Sequence, residues 1–234
     1  LSYTLYIGNK NYSSWSLRPW LLLTQLDIEF NEVVNPFDDG GYGVNWTRFR
    51  TFSPNGLVPC LHDEKSGIVV WESLAIVEYI AEEHPQAWPA DPVARAWARS
   101  AAAEMHAGFS ALRNECPMTV GMRVRLHEIS PALKRDLDRV TELWSEGIDR
   151  FGGPYLAGPH FTAVDAFYAP VVYRLQTYDL TDAAKAAYCS AILSTRGMQL
   201  WTDAALAEPW RESGHELEIA GLGEVLQDLR QPAE

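Results

Sequence analysis

The chain has 234 residues, 47% of them apolar, which is enough to bury one large core or two smaller ones. Its formal net charge of -12 argues against a surface built to neutralise nucleic-acid phosphates or anionic lipids, since either needs clustered Lys and Arg. Cys60, Cys116 and Cys189 are odd in number, far apart and outside any CxxC pair, so neither a disulfide framework nor a cysteine zinc site is expected, and a reducing compartment fits.

The first strand-like run is Tyr3 to Ile7. It follows no secretory-type segment, and no apolar run approaches membrane-spanning length, which predicts a cytosolic protein. Ser16 to Leu26 reads as a helix and Phe30 to Val34 as a second strand, together a βαβ unit. The Gly-rich, aromatic stretch Pro36 to Phe52 is expected to be irregular. Leu57 to Leu61 and Ile68 to Trp71 read as strands on either side of a turn at Asp63 to Gly67, and a helix follows from Ser73 to about Glu83. The order βαβ then ββα is the thioredoxin-like plan, predicted for residues 1–84.

Three prolines between His84 and Pro92 break helical periodicity and predict a linker over 85–92. Beyond it, Val93 to Cys116, Pro131 to Phe151 and Ala163 to Tyr178 have helical composition and spacing, with shorter helices after Thr181 and Arg196. An all-helical domain over 93–234 is expected, without a second sheet. The polar residues Glu208 to Glu234, with two further prolines, predict neither packing nor fraying.

Three short motifs carry chemistry. Asn11 to Pro19 places the hydroxyls of Ser13, Ser14 and Ser16 at the mouth of the first helix, where free N–H groups and the positive dipole end stabilise an anion such as a thiolate. One of these serines is expected to cap the helix, and Ser16 has the right position for it. Val58-Pro59 marks an edge, because proline forfeits a ladder bond, and an edge can pair with an extended peptide. Glu72-Ser73 closes a strand and opens a helix, offering a hydroxyl and an N–H to a carboxylate, or simply a cap.

In order and spacing, Ser13-Ser14-Trp15-Ser16, Val58-Pro59 and Glu72-Ser73 resemble the glutathione-binding domain of soluble glutathione transferases, most of all the zeta class, also called maleylacetoacetate isomerase. The resemblance implies glutathione as co-substrate. Val58, next to Pro59, would pair with its cysteinyl part and Glu72 and Ser73 would hold its γ-glutamyl end. Ser13, with Ser14 as the alternative, would face the sulfur as a hydrogen-bond donor rather than as a nucleophile. The product would be an adduct with a small hydrophobic electrophile; peroxidase or isomerase activity at the same site, or a non-catalytic binding module, are the alternatives. The electrophile pocket is expected between the domains, with Tyr12, Trp15, Met105, His106, Phe109 and Arg113 as candidates. A homodimer is also implied, with Glu104 a candidate to reach the neighbouring glutathione.

The chain departs from the zeta pattern at three places. Trp15 stands where that class has cysteine, Leu57 where it has a polar residue, and Thr177 where it has an arginine for a substrate carboxylate, with Arg174 one turn earlier. The glycyl carboxylate of glutathione has no assigned partner; Arg48, Arg50 and Asn55 are candidates. Thr162-Ala163-Val164-Asp165 resembles the capping box of transferase C-terminal domains. The histidines show no H-E-x-x-H, and no Walker loop, G-x-S-x-G or early G-x-G-x-x-G is present, so no metal or nucleotide is expected.

Overall fold

A computed structural model describes residues 2–39 and 41–231. Strand β1 (Tyr3–Ile7) is apolar on nearly every residue because it lies inside the sheet. It runs parallel to β2 (Phe30–Val34) on one side and antiparallel to β3 (Cys60–Asp63) on the other, and β4 (Ile68–Trp71) completes the order β2-β1-β3-β4. Helix α1 (Ser14–Gln25) buries Leu17, Leu21, Leu22 and Leu23 completely, at roughly 1.5–3 kcal/mol of transfer free energy each.

The Pro36 to Phe52 stretch is not irregular throughout. It contains helix α2 (Gly41–Phe49). Glycine and aromatics give that segment little intrinsic helicity, so tertiary anchors decide it. The Phe49 ring is buried against Phe37 and Phe52, and the Asn45 side-chain oxygen accepts from the Asp38 N–H at 2.8 Å. Helix α3 (Ser73–Glu83) then packs on α1, giving the thioredoxin-like arrangement.

A 3-10 turn at Pro85–Ala87 leads to α4 (Pro92–Ala107), capped by Asp91. Phe109, in left-handed conformation at φ 57°, separates α4 from α5 (Ser110–Glu115), so the continuous run expected to Cys116 is broken. Helices α6 (Pro131–Phe151), α7 (Ala163–Thr177), α8 (Ala183–Leu193), α9 (Arg196–Ala207) and α10 (Ser213–Leu222) follow. At the start of α7, Thr162 and Asp165 form a reciprocal capping box, and Asp165 also accepts from the Leu156 N–H and the Tyr188 hydroxyl at 3.0 Å each. Helix α7 is buried along almost its whole length and packs against both α1 and α4, tying the two halves together.

The second half is helical except for a two-stranded antiparallel ribbon, β5 (Met122–Leu126) with β6 (Gly223–Asp228), a correction to the expectation of no second sheet. The Met-Arg-Val-Arg-Leu alternation is a strand pattern, but its partner is about a hundred residues away and no hairpin signal announces it.

Candidate functional site

The loop after β1 is held from three directions before it enters α1. The Gly8 N–H donates to the Ser16 hydroxyl at 3.1 Å, and a Cβ at Gly8 would stand 2.6 Å from the Phe37 ring. The Phe37 N–H donates to the Asn9 side chain at 2.6 Å, and the Gly121 N–H to that of Asn11 at 3.2 Å. From the far end of the chain, the buried Glu208 carboxylate accepts from the Lys10 N–H at 2.6 Å and the Asn11 N–H at 3.2 Å.

This loop presents the two serines differently. Ser13, not Ser16, is the helix cap. Its oxygen accepts from the Ser16 N–H at 3.3 Å, and its own proton goes to the Ser16 hydroxyl at 2.7 Å. Ser14 accepts from an Arg174 guanidinium nitrogen at 3.4 Å, and among the described residues nothing accepts its proton. Ser14 is therefore the hydroxyl left with a donor to offer.

Both serines line a cleft of about 710 Å³ between the two halves, together with Val58, Pro59 and Glu72. The Val58-Pro59 bond is cis. Val58 lies beyond the β3 ladder, and no described residue pairs with its backbone N–H or carbonyl. Glu72 has φ 72°, a conformation costing a non-glycine residue on the order of 1–3 kcal/mol, and its exposed carboxylate accepts from Asn55 at 3.4 Å. Glu72 and Asn55 line the cleft, while Ser73 is not among the lining residues. Ser73 is fully buried next to Glu72 and accepts from Arg18 at 3.5 Å.

Of the six candidates for the electrophile pocket, Tyr12, Trp15 and Arg113 line the cleft. Met105 and Phe109 are core residues instead, while His106 packs edge-on behind Trp15 at 5.3 Å. The Tyr12 hydroxyl is committed elsewhere, donating to Glu216 at 2.5 Å and accepting from Arg230 at 3.1 Å. Burial, with Arg18 and Arg113 nearby, pushes the His106 imidazole pKa down.

Sequence reasoning missed an arginine cluster. The Trp15 indole lies against two guanidinium groups, Arg18 at 4.2 Å and Arg113 at 4.6 Å. Arg18 is wholly buried, with two of its nitrogens unpaired, and burial together with Arg113 and Arg174 pushes its pKa well down. Arg174 donates to the Cys116 carbonyl at 2.8 Å, and burial followed by the Arg113 charge lowers it to about 10. Arg113 donates to the Met105 and His106 carbonyls in the last turn of α4 and to that of Gly108, just past its end, at 2.9 Å. No described carboxylate forms an ion pair with any of the three. The available signal was Arg18 itself, a charge inside the apolar run of α1.

Thr177, the position where the resemblance looks for an arginine, is buried and donates to the Thr119 carbonyl at 2.6 Å; on α7 it is Arg174 whose side chain lines the cleft. The third wall comes from the C-terminal segment, where Glu212, His215 and Glu218 line the cleft. This segment packs tightly. The nearly buried Arg230 guanidinium pairs with Glu216 and Asp228, each at 2.6 Å. Pro232 lies outside the described residues.

Burial keeps the thiols protonated, at about 11 for Cys60 and Cys189 and about 12 for Cys116, so none is a ready nucleophile. Among the described residues no group of three His, Cys, Asp or Glu side chains is placed to hold a metal, and no helix is long and apolar enough to cross a membrane.

A thioredoxin-like half, a helical half and a cleft between them with serines at one helix start and Glu-Ser at another define a class. The glutathione S-transferase N-terminal domain family matches residues 12–83 and the corresponding C-terminal domain family matches 95–191, and the chain belongs to the glutathione S-transferase family. Glutathione S-transferase GstB of Escherichia coli is 30% identical over 44% of this chain and 53% of its own length, so this chain spans about half of that relative. Maleylacetoacetate isomerase of Rattus norvegicus is 27% identical over 74% of this chain and 78% of its own. Among solved structures, a Burkholderia glutathione transferase homologue with bound glutathione shares the fold at TM-score 0.65 and 20% identity, covering 88% of this chain and 98% of its own.

Proposed function

We propose that this protein is a cytoplasmic glutathione transferase in which residues 1–84 bind glutathione and the helical half completes the electrophile pocket. The observation that carries the reading is that one cleft gathers the unpaired Val58 backbone, Glu72 at positive φ next to Ser73, and Ser14 with an uncommitted proton. The γ-glutamyl end lies at Glu72 and Ser73, the cysteinyl backbone pairs with Val58, and the sulfur faces Ser14. Loss of the thiol proton to solvent leaves a thiolate stabilised by the Ser14 hydroxyl and the α1 N-terminus, and its sulfur attacks the electrophilic carbon, forming a C–S bond as the leaving group departs with its electron pair, chloride where the electrophile is a chloronitrobenzene.

The arginine cluster refines the electrophile. Arg113 and Arg174 line the cleft beside Ser14 and Trp15 without a carboxylate partner. A buried cation in that state favours an anionic ligand group, so the preferred electrophile is an apolar ring carrying a carboxylate. The test is to titrate the ultraviolet thiolate absorbance of glutathione with pH in the presence of protein, then compare turnover of a chloronitrobenzene probe with that of its ring-carboxylated analogue. The expected results are a bound-thiol pKa below the free value near ~8.5 and faster turnover of the carboxylated probe. An unshifted pKa, with turnover no faster than free glutathione gives, sinks the transferase and leaves a binding module.

A homodimer is part of the same proposal. Ile68 and Trp71 on the edge strand β4 and Leu57 before β3 expose apolar side chains. Glu104 is held within its own chain by Arg139 at 2.7 and 3.0 Å, which leaves it little reach toward a neighbour. Sedimentation at micromolar concentration is expected to give a species of twice the chain mass, and a monomer there removes the dimer.

A further inference from the structure

His215, on the first turn of α10, lies outside both family matches and is not otherwise accounted for. Its ring is clasped between two aromatic rings, Tyr12 at 4.7 Å and Phe37 at 5.5 Å, both nearly parallel to it. Behind it is Glu212, whose buried carboxylate accepts from the His215 backbone N–H at 2.7 Å and lies 2.6 Å from ring Nδ1. Burial opposes ionisation of Glu212, but these hydrogen bonds hold its pKa below the usual carboxylate value. An ionised carboxylate only accepts, so Nδ1 carries a proton and Nε2 is the ring atom left for a ligand. A ring fixed by two stacks and a carboxylate behind it is preorganised at the cleft wall; its Nε2 accepts in the neutral ring and donates only in the imidazolium form, which a carboxylate arriving at that nitrogen stabilises.

Which ligand group meets it follows from the proposed glutathione reading, on which this inference rests. Glutathione brings two carboxylates, and the γ-glutamyl one is met at Ser73. Among the described residues, the basic side chains that line the cleft are Arg113, Arg174 and His215. Arg113 and Arg174 stand at Trp15 and Ser14, on the sulfur side. His215 stands instead against Tyr12 and Phe37, and the residue after Phe37, Asp38, donates its N–H to Asn45 of α2, which also lines the cleft. The earlier candidates are otherwise engaged. Arg48 pairs with Asp38 at 3.2 Å, Arg50 lies over the Trp46 ring at 5.4 Å, and neither lines the cleft. Asn55 does line the cleft, but its amide donates to Glu72 at 3.4 Å and its oxygen accepts from Ser53 and the Leu57 N–H, which holds it on the Glu72 side.

We infer that His215, positioned by Glu212, binds the glycyl carboxylate of glutathione, so that the C-terminal segment completes the co-substrate site. Binding of the second carboxylate goes with uptake of a proton at Nε2, so that the ring then donates from both nitrogens in a charge-assisted arrangement.

Equilibrium titration of the full chain with glutathione, its glycyl monoethyl ester and γ-glutamylcysteine tests this. Wild type is expected to bind glutathione about tenfold or more tightly than the ester, the size of one hydrogen bond between charged groups. His215→Ala is expected to bind the two alike. His215→Phe keeps the stack on Tyr12 and Phe37 but has no donor, and it is expected to behave as the alanine variant does, which separates loss of a contact from loss of folding. Tenfold discrimination surviving in folded His215→Phe overturns the inference, as does a wild type indifferent to the ester. A wild type that binds none of the three ligands overturns the glutathione reading itself.

Discussion

Ser14→Ala is expected to raise the pKa of the bound glutathione thiol by about one to two units, the worth of one hydrogen bond to a charged acceptor, and to cut turnover at neutral pH about tenfold or more. A free thiol near ~8.5 is only a few per cent ionised at pH 7, and lowering it by two units takes about 2.7 kcal/mol of preferential thiolate stabilisation. The α1 N-terminus supplies part of that, and the Ser14 hydroxyl the rest. Arg174, donating to the Ser14 oxygen at 3.4 Å, leaves the serine proton free to point at the sulfur. Ser13→Ala is expected to act otherwise. Its hydroxyl proton is spent on Ser16 and its oxygen on the Ser16 N–H, so the variant loses about 1 kcal/mol of stability as a missing cap while the bound-thiol pKa stays low. Thiolate titration of both variants decides it, and a pKa that reverts in Ser13→Ala but not in Ser14→Ala reverses the assignment.

Glu208→Ala is expected to cost about 3 kcal/mol and to lower Tm by about 6–12 °C. The buried carboxylate accepts from the Lys10 N–H, the Asn11 N–H and, at 3.3 Å, the Asn11 side-chain amide. Alanine leaves two buried backbone donors without partners and the Asn11 amide with only the Ala205 carbonyl, in a loop that leads directly into Tyr12, Ser13 and Ser14. Glutathione affinity is therefore expected to fall with stability, although Glu208 itself does not line the cleft. Thermal unfolding and glutathione titration of the same variant check both parts; an unchanged Tm would show that the C-terminal segment does not hold the loop.

Much of the site was legible because its parts are local. Helix starts at Ser13-Ser14 and Glu72-Ser73, and a proline that must leave a ladder at Val58-Pro59, are decided by a few adjacent residues. Their order along the chain is enough to recognise the family. The C-terminal wall was not legible. His215 meets Tyr12 and Phe37 from about two hundred residues away, and Arg230 reaches Tyr12 from the same segment, pairings that no periodicity records. The choice between the serines was equally hidden, since both have the composition of a cap and they are told apart only by their partners, Ser16 for Ser13 and Arg174, on α7, for Ser14.

By itself, then, the amino-acid order determined β1, β2, β4, most of the helices and the chemistry carried at two helix starts, because backbone capping, proline sterics and apolar spacing act over a few residues. Tertiary structure alone decided α2, the β5–β6 ribbon, the guanidinium cluster around Trp15 and the closing of the cleft by the C-terminal segment. Each of these depends on a contact between residues distant in the chain, where burial and a specific partner, rather than local propensity, select the conformation.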